Sequence, residues 1–157
     1  MEQLAMNFPE WTRVAEVELM YKSKVKPSER PQIRDSKDIH DILKQIWNEN
    51  KIEMQEQFKV MFLNRCNRVI GVYDASSGGL TGTVADPRLI LAAAIKSLAV
   101  SIILSHNHPS GNLKPSRADE ELTQKIKVAA AYHDIRVIDH IIITSEGYYS
   151  FADEGLL

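Results

Sequence analysis

Apolar and polar positions along the chain repeat with two different periods, and the period switches several times. After Asp35 and Ser36, either of which would cap a helix, Ile39, Ile42, Leu43 and Ile46 recur at helical spacing. The pattern predicts a helix from there to about Asn50. From Glu56 to Asn64 the period drops to two: Glu56, Phe58, Val60 and Phe62 share one face, and Gln57, Lys59, Met61 and Leu63 share the other. A second strand at 68–74 follows a short turn at 64–67, which predicts a hairpin. The Ser76-Ser77-Gly78-Gly79 cluster reads as a turn or loop.

The second half alternates helices with buried strands. Asp86-Pro87 is an N-cap followed by proline at the first helical position. The helix it opens, to about Leu98, is apolar nearly all round, so it is expected to pack on more than one side. Residues 100–105 form a short strand with two apolar faces, as in the middle of a covered sheet. A helix from Ser116 to about His133 carries Leu122, Ile126, Ala129, Ala130 and His133 on one stripe. Residues 135–144 form another strand, and Glu146-Gly147 turns into a last one at 148–151. This alternation predicts an α/β sandwich with a mixed sheet over residues 36–157.

Residues 1–35 read as an extended arm. Val14, Val17, Leu19 and Tyr21 suggest one short strand. Lys22, Lys24, Lys26, Arg30 and Arg34 then surround Pro27 and Pro31, with Glu29 the single acid between positions 22 and 34. Such a stretch is either a solvated connector or a patch for a polyanion such as nucleic acid.

Composition narrows the class. The 157 residues suffice for one domain of ordinary size, and a chain of that length buries roughly 70% of its unfolded surface without help from a disulfide or metal. A formal charge of −2 excludes a generally basic nucleic-acid coat and an acidic solvating tail. The one cysteine, Cys66, rules out an intrachain disulfide and a CxxC zinc knuckle and fits a reducing compartment. The N-terminus, with Glu2 and Glu10, does not read as a signal peptide, and no run approaches the roughly 18 apolar residues of a spanning helix. A cytoplasmic protein without a membrane partner is expected.

The chemistry concentrates in Ser105-His106-Asn107-His108-Pro109-Ser110-Gly111 and Pro115-Ser116-Arg117-Ala118-Asp119. Two histidines two apart in extended geometry point the same way, so their imidazoles could converge on one ion. They fall just past the carboxyl end of a buried strand, where open α/β sheets place their sites. Asp119, in the first turn of the next helix, could return a carboxylate to the same point. Two imidazoles and a carboxylate fill three positions around zinc and leave the fourth open for water, as catalytic sites do. The ion would bring that water's acidity near neutrality and polarise a carbonyl. A base is still needed, and Glu56, a carboxylate on the inward face of its strand, is the candidate.

Each residue also has a plainer reading. Ser116-x-x-Asp119 ahead of an apolar helix is a capping box. A His-x-His pair can be a hydrogen-bonded surface or core pair. Glu56 can mark the solvent end of its strand. His40 and His133 are structural or surface residues, and Cys66 a free thiol. Asp139 and His140, adjacent on a strand, point to opposite faces and read as outer-shell or core hydrogen-bonding groups.

The spacing His106-Asn107-His108, seven residues, Ser116, two residues, Asp119 resembles the JAMM/MPN (JAB) metalloprotease motif. The fuller string, with Asp139-His140-Ile141-Ile142-Ile143, is similar to the RadC branch of that superfamily. The stretch 56–64 resembles the strand carrying the family's glutamate, and Gly82-Thr83 and Pro87-Arg88 fall where the family has them. The resemblance implies a three-layer α/β/α fold similar to cytidine deaminases. It implies one zinc ion on His106, His108 and Asp119, Glu56 as general acid/base, and Ser116 as a donor to the oxyanion of a tetrahedral intermediate. Characterised JAMM enzymes cleave amide and isopeptide bonds. Asn107 stands where many of these peptidases have Ser or Thr. RadC proteins also carry an N-terminal helix-hairpin-helix segment associated with DNA, and the 35 residues ahead of the predicted domain are too short and wrongly composed for it.

The leading expectation is therefore a zinc-dependent hydrolase of peptide, amide or isopeptide bonds, working on a peptide or protein substrate through zinc-activated water and Glu56. A non-catalytic or DNA-associated binding protein using Lys22, Lys24, Lys26, Arg30 and Arg34 is the alternative, and a metal-dependent nuclease ranks third. A zinc deaminase would need His-x-Glu and Pro-Cys-x-x-Cys, which one cysteine cannot supply. The iron(II) oxygenase triad shares two histidines and a carboxylate but explains neither Ser116 nor the glutamate strand.

Overall fold

A computed structural model describes residues 9–12, 20, 22–78 and 84–157 of the chain. The strand suggested around Val14, Val17, Leu19 and Tyr21 and the Gly82-Thr83 pair lie outside the described residues. Among those described, the order is α1 (Ser36–Ile46), β1 (Gln57–Leu63), β2 (Val69–Ser77), α2 (Pro87–Lys96), β3 (Ser101–Asn107), α3 (Arg117–Ala131), β4 (Arg136–Ile143) and β5 (Tyr148–Ser150).

The strands form one mixed sheet in the order β2-β1-β3-β4-β5. β1 runs antiparallel to both β2 and β3, β3 and β4 are parallel, and β5 returns antiparallel. The parallel step needs a crossover, which α3 supplies. β3 lies in the middle and is buried at every residue, which explains why its sequence shows no alternation.

Residue parity divides the core into two layers. Phe58, Val60 and Phe62 of β1 and Ile102 and Leu104 of β3 pack on Ile90 and Ala94 of α2 and Ile126 and Ala130 of α3. Met61, Leu63 and Ile103, with Ile141 and Ile143 of β4, pack on Ile39 and Leu43 of α1 and on Trp47. The result is the expected three-layer α/β/α sandwich. Lys59 falls on the α1 side, where its ammonium pairs with Asp74 and sits 5.2 Å above the Trp47 ring.

Local sequence sets most boundaries. Asp35 caps α1 by accepting from the Asp38 amide, and Asp86 caps α2 by accepting from the Arg88 amide, with Pro87 following. Others differ from expectation. α1 ends at Ile46, because Trp47 turns extended (φ −78°, ψ 135°) and buries its ring on the core instead of continuing the helix. β1 starts one residue after Glu56, and β2 runs on through Ser76 and Ser77, whose pairing with β1 overrides their turn preference. α2 buries only Ile90 and Ala94 fully, while Leu89 and Ile95 are exposed. Among the described residues, then, it packs on one side, not several. α3 ends at Ala131, which leaves His133 outside the helix and exposed, not on its buried stripe.

The end of the basic stretch is tied to the sheet. Pro31 accepts from the Val69 amide, Ile33 donates to the Asn67 carbonyl, and the Ile33 side chain joins the α1-side core. Lys22, Lys24 and Lys26 are exposed. Arg34 already holds Asp38 through two hydrogen bonds of 2.9 and 3.1 Å.

Candidate metal centre

β3 delivers His106 and Asn107 at its carboxyl end, and the chain continues to His108 before turning. The turn closes with the Gly111 amide donating to the His108 carbonyl at 3.0 Å. Gly111 has φ +82°, a conformation that residues with a Cβ rarely adopt. The chain then reaches Ser116, which caps α3. The capping box is complete: the Asp119 amide donates to Ser116 Oγ at 3.1 Å, and the Ser116 amide donates to Asp119 Oδ2 at 2.7 Å.

The capping reading of Ser116 and Asp119 and the metal reading of Asp119 therefore coexist. The box orients the Asp119 carboxylate so that Oδ1 lies 3.3 Å from His106 Nε2 and Oδ2 lies 3.5 Å from His108 Nε2. The two Nε2 atoms are 3.0 Å apart. One donor atom from each of the three residues falls within 4.8 Å of the others.

The outward nitrogens fix what these atoms present. His108 Nδ1 lies 2.6 Å from the Asn112 carbonyl, which only accepts, so Nδ1 carries the proton and Nε2 of the neutral ring holds a lone pair. His106 Nδ1 lies 2.8 Å from His140 Nε2, and His140 Nδ1 lies 2.5 Å from Thr123 Oγ1. Two imidazole Nε2 atoms and a carboxylate thus face one another, a donor set that suits a positive charge among them. The titration behaviour agrees. The hydrogen bond with Asp119 is the main influence raising the His108 pKa, against the opposing effect of burial. Burial works against ionisation of Asp119, yet the bonds from His106 and His108 hold its carboxyl far below the ordinary range. The donor set of two imidazoles and one carboxylate suits zinc or a neighbouring first-row ion.

Glu56 lies beside His108. It is half-buried and lines a cavity of about 300 Å³ with His108, Pro109, Ser110, Asn112, Lys114 and Ser116. His106, His108 and Asp119 thus converge, and Glu56 and Ser116 share a cavity with His108. Three others take their roles from the fold. Asn107 is fully buried, and its amide makes three bonds: Oδ1 accepts from the Gln57 amide at 2.7 Å, and Nδ2 donates to the Ile52 and Gln55 carbonyls at 2.7 and 2.9 Å. It clamps the segment bearing Glu56 to the end of β3. His140 and Thr123, both buried, complete the hydrogen-bond line behind His106. The sequence hinted at His140 as an outer-shell group and gave no sign of Thr123. Asp139 turns the other way and accepts from Ser150 Oγ and the Ala152 amide.

Fold and site together define an α/β protein with a His-x-His and aspartate cluster at the carboxyl end of its central strand. The family model of the RadC-like JAB domain matches residues 33–156, and the chain belongs to that family. It is 45% identical over 125 residues to the UPF0758 protein of Flavobacterium johnsoniae, covering 80% of this chain and 53% of the relative. It is 48% identical over 104 residues to the UPF0758 protein of Porphyromonas gingivalis, covering 66% of this chain and 46% of the relative. The chain spans about half the length of these curated relatives. No helix among the described residues is long and apolar enough to cross a membrane.

Proposed function

We propose that the chain is a zinc-dependent hydrolase of an amide, peptide or isopeptide bond, acting in the cytoplasm. The observation that carries this reading is the convergence of two imidazole nitrogens and a carboxylate beside an open cavity that Glu56 lines. His106, His108 and Asp119 would hold the ion. When bound there, zinc acidifies water and polarises a carbonyl. The remaining work falls to the protein. Glu56 takes a proton from the attacking water and returns one to the departing amine. Ser116 Oγ accepts from the Asp119 amide, which leaves its own O–H free to donate to an oxyanion at the cavity mouth. The Asn107 clamp holds Glu56 at the position these transfers require.

Zinc content measured by elemental analysis, together with cleavage of a fluorogenic peptide and isopeptide panel, tests the reading. Native protein is expected to hold one zinc per chain and to cleave at least one substrate. Glu56→Gln is expected to keep the metal and lose turnover. Full activity in Glu56→Gln on a substrate that the native chain cleaves would remove the proposed chemistry.

A further inference from the structure

A line of buried polar groups runs behind His106. It begins at the Asp119 carbonyl. Thr123 Oγ1 donates its only proton to that carbonyl at 2.6 Å. The same oxygen lies 2.5 Å from His140 Nδ1, so it can only accept there, and His140 Nδ1 must carry a proton. His140 is completely buried. Its ring is stacked on Phe151 with centroids 4.6 Å apart, and Phe58 meets it edge-on at 5.6 Å. An imidazolium enclosed by these aromatic rings would be an unpaired buried charge, so the ring is neutral. Its Nε2 is therefore an acceptor, and His106 Nδ1, 2.8 Å away, must donate.

We propose that Thr123 and His140 are positioning residues that lock His106 in the Nδ1–H tautomer and so keep its Nε2 bare for the cation. The alternative tautomer, with the proton on Nε2, would block coordination and set two acceptor nitrogens against each other at the His106–His140 contact. The relay starts on the main chain of Asp119, whose side chain is itself a proposed ligand, so one residue of α3 both supplies a ligand and fixes another ligand's proton. An outer-shell partner of a coordinating histidine is ordinarily a carboxylate, a carbonyl or a water. Here a second imidazole takes that place, and it accepts only because a threonine behind it has already committed its proton.

The inference rests on the metal reading for its purpose but not for its test. In the metal-free native chain, two-bond ¹H–¹⁵N correlation spectra of the histidine rings should show His106 protonated at Nδ1. A bare Nδ1 with the proton on Nε2 would overturn the relay whether or not the protein binds zinc. Zinc affinity, from competition with a chelating dye, gives the second readout. His140→Phe preserves the ring stacking and removes the acceptor, and it should weaken zinc about 10–100-fold. Thr123→Val frees His140 to invert and should weaken zinc by a smaller factor, while Thr123→Ser restores native affinity. Thr123→Val is the safeguard if His140→Phe fails to fold. Native affinity in folded His140→Phe or in Thr123→Val would refute the proposal. If the native chain binds no zinc while His106 carries its proton on Nδ1, the relay stands and the metal reading falls.

Discussion

His106 and Asn107 are neighbours on one strand, both almost completely buried and both polar, yet they spend their hydrogen-bonding capacity in opposite ways. Asn107 faces the α1 layer and commits one acceptor and two donors to main-chain groups of residues 52–57, so its demand closes within the chain. His106 faces the α3 layer, donates backward to His140, and leaves its forward nitrogen pointing at another lone pair and a carboxylate. A buried polar group with satisfied partners is architecture; one whose neighbours are all acceptors announces a missing positive charge. The single step in parity between them separates what positions the site from what constitutes it.

That contrast can be broken from either side. The largest effect should come from Asp119. Asp119→Asn retains an oxygen for the Ser116 amide but loses the charge, and zinc affinity should fall by more than the roughly 10–100-fold that removal of an outer partner costs. Helix content by circular dichroism should stay native in Asp119→Asn, while Asp119→Ala should also fray the start of α3. Equal zinc affinity in Asp119→Asn and the native chain would dismiss the carboxylate as a ligand. Asn107→Ala comes next and should act on stability. It strands three half-buried main-chain groups, with an expected cost of about 3 kcal/mol in urea unfolding of the metal-free chain. His106→Gln should do the reverse, costing zinc binding far more than metal-free stability. If both variants lost stability and metal in the same proportion, the division between anchor and ligand would collapse.

Much of this was legible in the sequence because it is local. The period-two run in β1, the Asp86-Pro87 start, the Ser116–Asp119 box and the pair of histidines two apart all express their geometry within a few residues. What escaped depends on tertiary contact. Ser76 and Ser77 extend β2 only because β1 is there to pair with them. Trp47 leaves α1 because the core beneath it offers burial. The apolar circumference of α2 suggested cover on several sides, but helix composition cannot say which faces a neighbour will reach. Thr123 is invisible as a functional residue, since a threonine in a helix has no pattern that points across to a strand. Asn107 read only as a departure from many JAMM peptidases, while its clamp requires residues fifty or more positions away.

The smallest expected effect uses a histidine outside the cluster as the control. His40 lies on α1, its ring stacked on Tyr148 with centroids 4.4 Å apart, and its Nδ1 is 3.9 Å from Asp41 Oδ1. Burial, and then Lys44, push its pKa down, with Asp41 pulling weakly the other way. The unfolded chain therefore binds a proton more readily near pH 6.5 than the folded chain does. It follows that His40 costs no stability above that pH. The penalty grows as pH falls from about 6.5 through the depressed folded value, below which it is complete. His140 adds a penalty of the same sign, so the native slope alone does not isolate His40. The comparison that does is urea midpoints of native and His40→Gln protein from pH 7.5 to 5.0, both with metal removed. The difference between them should shift in favour of His40→Gln as the solution is acidified. A pH-independent difference would mean that His40 titrates alike in both states and that its stacking on Tyr148 imposes no preference for the neutral ring.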